Sequence, residues 1–128
     1  MKIRVKLVIF AIHKLDGMVA ISKYIPTRRL PITTLDEESV NSYSECLEMF
    51  SRLTGVDPQW GSLIFKQETV HEYNDDGEKM FDIVYSVYLE GMTSLKDDYD
   101  WMSLSEIDGG GIFIPDYELI KYLGSKRF

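Results

Sequence analysis

The sequence predicts one mixed α/β domain, a sheet with helices packed on its faces, and three observations point there. Its 128 residues suit a single core, since two domains would have about 64 residues each, near the floor for independent folding. A 45% hydrophobic, 27% charged and 12% aromatic composition excludes a disordered tail or a collagen-like repeat. The order of patterns is strand, strand, loop, helix, hairpin, strand, helix, so strands do not alternate strictly with helices, and a mixed sheet follows.

The N-terminus alternates with period two, Ile3, Val5, Leu7 and Ile9 on one face and Arg4, Lys6 and Val8 on the other. The second face turns apolar only at its end, so it is expected to be the outer one, and the later half of the strand central. His13 to Gly17 makes a tight turn with Asp16-Gly17 as its hairpin dipeptide, and Met18 to Lys23 returns. Pro26, Arg28-Arg29 and Pro31 break the pattern, which predicts a loop from Tyr24 to Leu35.

A long helix is expected over Asp36–Thr54. Thr34 and Glu37 form a capping box, and Asp36, Glu37 and Glu38 suit the positive end of the dipole. Val40, Tyr43, Leu47, Phe50 and Thr54 recur at helical spacing, widened by Cys46 and Leu53; Gly55 stops the helix and Pro58 bars resumption. Gly61–Tyr73 and Met80–Leu89 flank a turn cluster at 74–78 and pair as an antiparallel hairpin. Asp100–Leu104 is a short strand and Gly109-Gly110-Gly111 a loop. Pro115 opens a closing helix over Asp116–Leu123 that Gly124 ends.

Charge and composition narrow the function. The net charge is −7, and basic residues cluster only at Arg28-Arg29 and Lys126-Arg127, which disfavours nonspecific nucleic-acid binding while allowing a small anion held by one or two arginines. The longest apolar run, Leu7 to Ile12, is far short of the roughly 20 residues that span a bilayer, so no membrane segment is expected. Met1 runs straight into a strand pattern, not a signal core. The single cysteine fits a reducing, cytoplasmic compartment. Cys46, mid-helix beside the apolar stripe, is expected to be a buried, inert thiol.

In order and spacing, Leu7 to Ile21 (LVIFAIHKLDGMVAI), Leu30-Pro31, Leu53-Thr54-Gly55-Val56 and Tyr99 to Ile107 (YDWMSLSEI) resemble the Nudix fold over nearly the whole chain. The resemblance implies a single α/β/α sandwich with a mixed sheet over residues 1–128. For most members it also implies hydrolysis of nucleoside diphosphates linked to another moiety, and often dimerisation. The catalytic box is degenerate. It ends in Arg-Glu-aliphatic-x-Glu-Glu-x-Gly-aliphatic, and with Gly55-Val56 as its end the Arg-Glu pair falls at Glu48-Met49 and the Glu-Glu pair at Arg52-Leu53. The earlier Gly and Glu fall at Thr34 and Val40.

Pyrophosphate hydrolysis needs Mg²⁺ or Mn²⁺ on converging carboxylates. Met49 and Leu53 offer no oxygen and Arg52 adds positive charge, so the expectation is a hydrolytically dead module with no cofactor. Such a pseudoenzyme would bind a nucleotide-type small molecule or a protein partner, and a homodimer through edge strands is compatible with it. The alternative is an active hydrolase with a rebuilt metal site on Glu45 and Glu48, helped by acids such as Glu37, Glu38, Asp97, Asp98 or Asp100; a solvated helix face is the plainer account of Glu45 and Glu48. In the resembled fold the Arg28-Arg29 loop borders the ligand cleft, where arginines give bidentate contacts to phosphate; a basic surface loop is the competing account. Trp60 and Tyr24 are candidates to stack on a base, against ordinary packing under a loop.

Overall fold

The computed structural model describes every residue except 24–26, 36–40, 60, 62, 108–110 and 128. Among the described residues a six-stranded mixed sheet lies between two helices. The strands are β1 (Lys2–His13), β2 (Asp16–Ser22), β3 (Ile32–Thr34), β4 (Lys66–Asp75), β5 (Glu78–Leu89) and β6 (Tyr99–Ser103); the helices are α1 (Ser42–Thr54) and α2 (Ile114–Arg127). The sheet runs β4-β5-β1-β2-β6, with β3 also on β1. β1 and β5 pair in parallel from Lys2↔Met80 to Ala11↔Leu89, and the other strand pairs are antiparallel. This is the expected α/β/α sandwich.

β1 has two partners along one edge. Its first half pairs with β3, Arg4↔Thr34 to Lys6↔Ile32, and its second half with β2, Phe10↔Val19 to His13↔Asp16. β2 leaves β1 beyond Val19 and follows β6, from Met18↔Ser103 to Ser22↔Tyr99. The backbone of residues 29–31 fills the fork: Leu7 N donates to Pro31 O at 3.0 Å and Ser22 N to Arg29 O at 2.9 Å. The segment expected to be all loop therefore contains β3, because a forked edge leaves backbone donors of β1 to satisfy.

The period-two pattern sorts the core as expected on one face. Val5, Leu7, Ile9 and Ala11 of β1 and Tyr85, Val87 and Leu89 of β5 pack with Cys46, Met49, Phe50 and Leu53 of α1. Val8, Phe10, Val19, Ile21 and Val84 meet Leu119, Ile120 and Leu123 of α2 on the other.

Several boundaries differ from expectation. α1 starts at Ser42, because Asn41 is extended (φ −130°, ψ 100°) and its side chain caps Tyr43 N and Ser44 N at 3.0 and 3.2 Å. Thr34, the expected cap, is already in β3. The buried stripe is Cys46, Met49, Phe50 and Leu53, whereas Tyr43 is 45% exposed and Leu47 half-buried; Val40 lies outside the described residues. The first hairpin turns on Lys14 and Leu15, both left-handed at φ 50° and 74°, so Asp16-Gly17 begins β2. The strand expected from Gly61 starts at Lys66. α2 continues through Gly124 to Arg127, so this glycine does not end the helix; a Cβ there would make only an ordinary contact, 3.4 Å from Leu104 Cδ1. No helix among the described residues is long and apolar enough to cross a membrane.

Candidate functional site

The C-terminal half of α1 is where a Nudix box would place its carboxylates. Its spacing puts Met49 and Leu53 toward the sheet, each 1% exposed within the apolar core. Arg52 faces out and donates through Nε to Asp97 Oδ2 at 3.1 Å. The helix end is closed by the connection from β5 to β6: Lys96 N donates to Leu53 O at 2.9 Å, and Gly55, at φ 72°, donates to Ser51 O at 2.8 Å. A Cβ at Gly55 would lie 3.5 Å from Lys96 Nζ, so an ammonium sits at the negative end of the helix dipole. Arg52 and Lys96 both oppose a divalent cation, and Asp97, the acid that meets Arg52 here, is already paired with it.

Glu48 on α1 is exposed and Glu45 half-buried. Among the described residues no three His, Cys, Asp or Glu side chains come together as a metal site. Asp36, Glu37 and Glu38 lie outside the described residues, as do the candidates Tyr24 and Trp60. Cys46 is buried, and burial pushes its thiol up to about 12, away from nucleophilic reactivity.

Arg28 and Arg29 lie in the fork. Arg28 bridges to Ile112, its N–H donating to Gly111 O at 2.6 Å and its carbonyl accepting from Phe113 N at 2.9 Å. Arg29 stacks its guanidinium 3.9 Å from the centre of the Phe113 ring and stands 3.6 Å from Asp75 Oδ2, its side chain 40% exposed. The fork thus ties both arginines to the start of α2.

The face of β1 expected to be outer is buried. Arg4 and Lys6 are 9% and 1% exposed, with Asp82 of β5 and Asp116 of α2 at 0% and 1%. Lys6 Nζ stands 2.9 Å from Asp82 Oδ2 and also pairs with Asp116. Arg4 Nε donates to Asp82 Oδ1 at 2.9 Å, and the Tyr73 hydroxyl donates to Asp82. Asp116 accepts the Leu30 N–H at 2.8 Å, fixing the fork to α2.

Two cations meet two carboxylates, so the cluster has no net charge to offer a metal. Burial alone would raise the Asp82 carboxyl, but hydrogen bonds from Tyr73, Arg4 and Lys6 hold it below its ordinary value. Burial works against the Arg4 charge too, yet Asp82 keeps its pKa raised; the Tyr73 phenol is raised by burial and then by Asp82. Beside it His71 is half-buried, its Nδ1 enclosed without a partner and its ring 5.2 Å from that of Tyr73.

At the β6 edge of the sheet, Tyr99 and Trp101 face the α1 side and are half-buried against its core. Trp101 Nε1 donates to Thr93 O at 2.7 Å. These two rings, Lys23 and the 92–95 segment line a groove of about 420 Å³. Local alternation in β6 places the rings; the groove wall comes from a chain segment that no local pattern marks.

No protein-family model matches the sequence, and no curated protein sequence matches it. Solved structures do match. The Nudix domain of Shewanella oneidensis NrtR complexed with ADP ribose superposes with a TM-score of 0.77 at 17% identity, over 98% of this chain and 88% of that one. The C. elegans Ap4A hydrolase binary complex gives 0.77 at 10% identity, over 99% and 98%. The complex between the C-terminal domain of mouse MUTYH and human PCNA gives 0.71 at 15%, over 99% and 90%. With identities this low and coverage nearly complete, what is shared is the architecture, and this chain has the Nudix fold.

Proposed function

We propose that this chain is a Nudix-fold module that recognises a nucleotide-type ligand without hydrolysing it. The observation that carries the proposal is the state of three α1 positions: Met49 and Leu53 are core hydrocarbon and Arg52 is paired with Asp97. A metal-assisted attack on a pyrophosphate needs several oxygen ligands on one cation. The residues at the box positions do not fit that group. The NrtR domain's complex with ADP ribose supports a nucleotide-type ligand on this scaffold. The cations available to phosphates on the β2–β3 connection are Lys23, Arg28 and Arg29. The complex of the MUTYH C-terminal domain with PCNA supports a protein partner on the same scaffold, and β4 and β6, the outer strands of the sheet among the described residues, offer a homodimer surface that sedimentation at high micromolar concentration would reveal.

The test is a panel of nucleoside diphosphate derivatives, ADP-ribose and Ap4A included, with Mg²⁺ or Mn²⁺. The expected outcome is no product release, together with thermal stabilisation by at least one nucleotide, worth about 2.7 kcal/mol at a hundredfold excess over Kd. Metal-dependent turnover that is lost on Glu45→Gln or Glu48→Gln would overturn the proposal and establish the rebuilt-site hydrolase.

A further inference from the structure

The groove at the β6 edge has the dimensions and chemistry of a ligand site. Its volume of about 420 Å³ falls in the roughly 300–1,000 Å³ range of small-molecule pockets. Tyr99 and Trp101 are two apart on one strand and so share a face. The Trp101 indole is held in place by its hydrogen bond to Thr93 O, so a stacking surface exists before any ligand arrives. Lys23 reaches the same groove just beyond β2, its backbone fixed by donation to Asp98 O at 2.8 Å and its exposed ammonium making no ion pair among the described residues. Asp100, on the rim, accepts from Trp101 N at 2.8 Å and has lone pairs to spare. The wall also holds the Thr93 hydroxyl, enclosed without a partner.

We infer that this groove takes the nucleoside end of a nucleotide-type ligand: the base against Tyr99 and Trp101, an amino group of the base donating to Asp100, and the first phosphate on Lys23. The charges argue for this class over a bare polyphosphate. One ammonium and one carboxylate leave the groove without net charge, so a purely anionic ligand gains little, whereas a ring carrying donors and one phosphate satisfies both ends. An aromatic platform is indifferent to which base stacks, so Asp100 is the group that discriminates. This inference rests on the nucleotide-binding reading above and adds where the ligand sits and which of its parts is recognised.

Single-tryptophan fluorescence tests it. Trp60→Phe leaves Trp101 as the only indole of the two in the chain, and the probe is ADP, with adenosine and inorganic pyrophosphate as separate arms. Saturable change of Trp101 emission with ADP is expected, a weaker one with adenosine, and none with pyrophosphate. Lys23→Glu, at an exposed position, should weaken ADP by about tenfold or more with the melting temperature unchanged, as loss of a charge-assisted contact requires. ADP binding seen by calorimetry with Trp101 silent, or abolished by Arg28→Ala with Arg29→Ala but not by Lys23→Glu, would overturn the groove and leave the non-hydrolytic module standing. Absence of ADP and adenosine binding at millimolar concentration would also overturn it. Metal-dependent cleavage of ADP with the Trp101 signal intact would do the reverse, supporting the groove and overturning the non-hydrolytic reading.

Discussion

On the α1 face of the sheet, Met49 and Leu53 are buried as hydrocarbon; on the α2 face, Arg4, Lys6, Asp82 and Asp116 are buried to a similar depth as charges. The first face gains by removing apolar surface from water, a term that needs no particular partner. The second removes four charges from water, which is tolerated only because each is paired and hydrogen-bonded. Among the described residues, the buried carboxylates are thus the ones that cations neutralise. Asp82, with Tyr73, Arg4 and Lys6 around it, is saturated by its own protein.

The comparison can be broken most strongly at Asp82. Asp82→Asn leaves two buried cations with one carboxylate and should cost about 3–5 kcal/mol in denaturant unfolding; a loss below 1 kcal/mol would show the cluster to be incidental. The same group sets an acid limb. Its folded pKa lies below the ordinary 3.8, so the stabilisation is fully present above that value and is lost as pH falls through the folded pKa. Melting temperature should therefore drop with acidification below pH 3.8 in the native chain, and less steeply in Asp82→Asn.

On the other face, Leu53→Ala should cost about 2–5 kcal/mol, the range for emptying a packed site. A loss below 1 kcal/mol would mean that the site is less tightly packed than its burial implies. The smallest effect is expected at Arg52→Ala. Its pair with Asp97 joins side chains 55% and 54% exposed, so chemical unfolding should register a loss of about 0.2–1 kcal/mol, shrinking with salt.

The sequence by itself determined the apolar architecture. Alternation in β1 and β5 and the helical spacing of Cys46, Phe50 and Leu53 are local and follow from whether a side chain prefers water, and the stop at Gly55 and the turn before Glu78 are local backbone preferences; Met49, buried beside them, stood outside the expected stripe. The tertiary structure alone decided the rest. Asn41 capped the helix because Thr34 was drawn into β3 by the open edge of β1. Gly124 stayed helical, buried within α2 as the helix runs on to Arg127. Most of all, Arg4 and Lys6 read as solvated because a charge belongs in water unless partners are supplied, and theirs arrive 78 and 110 residues further along the chain, at Asp82 and Asp116, beyond the reach of any local pattern.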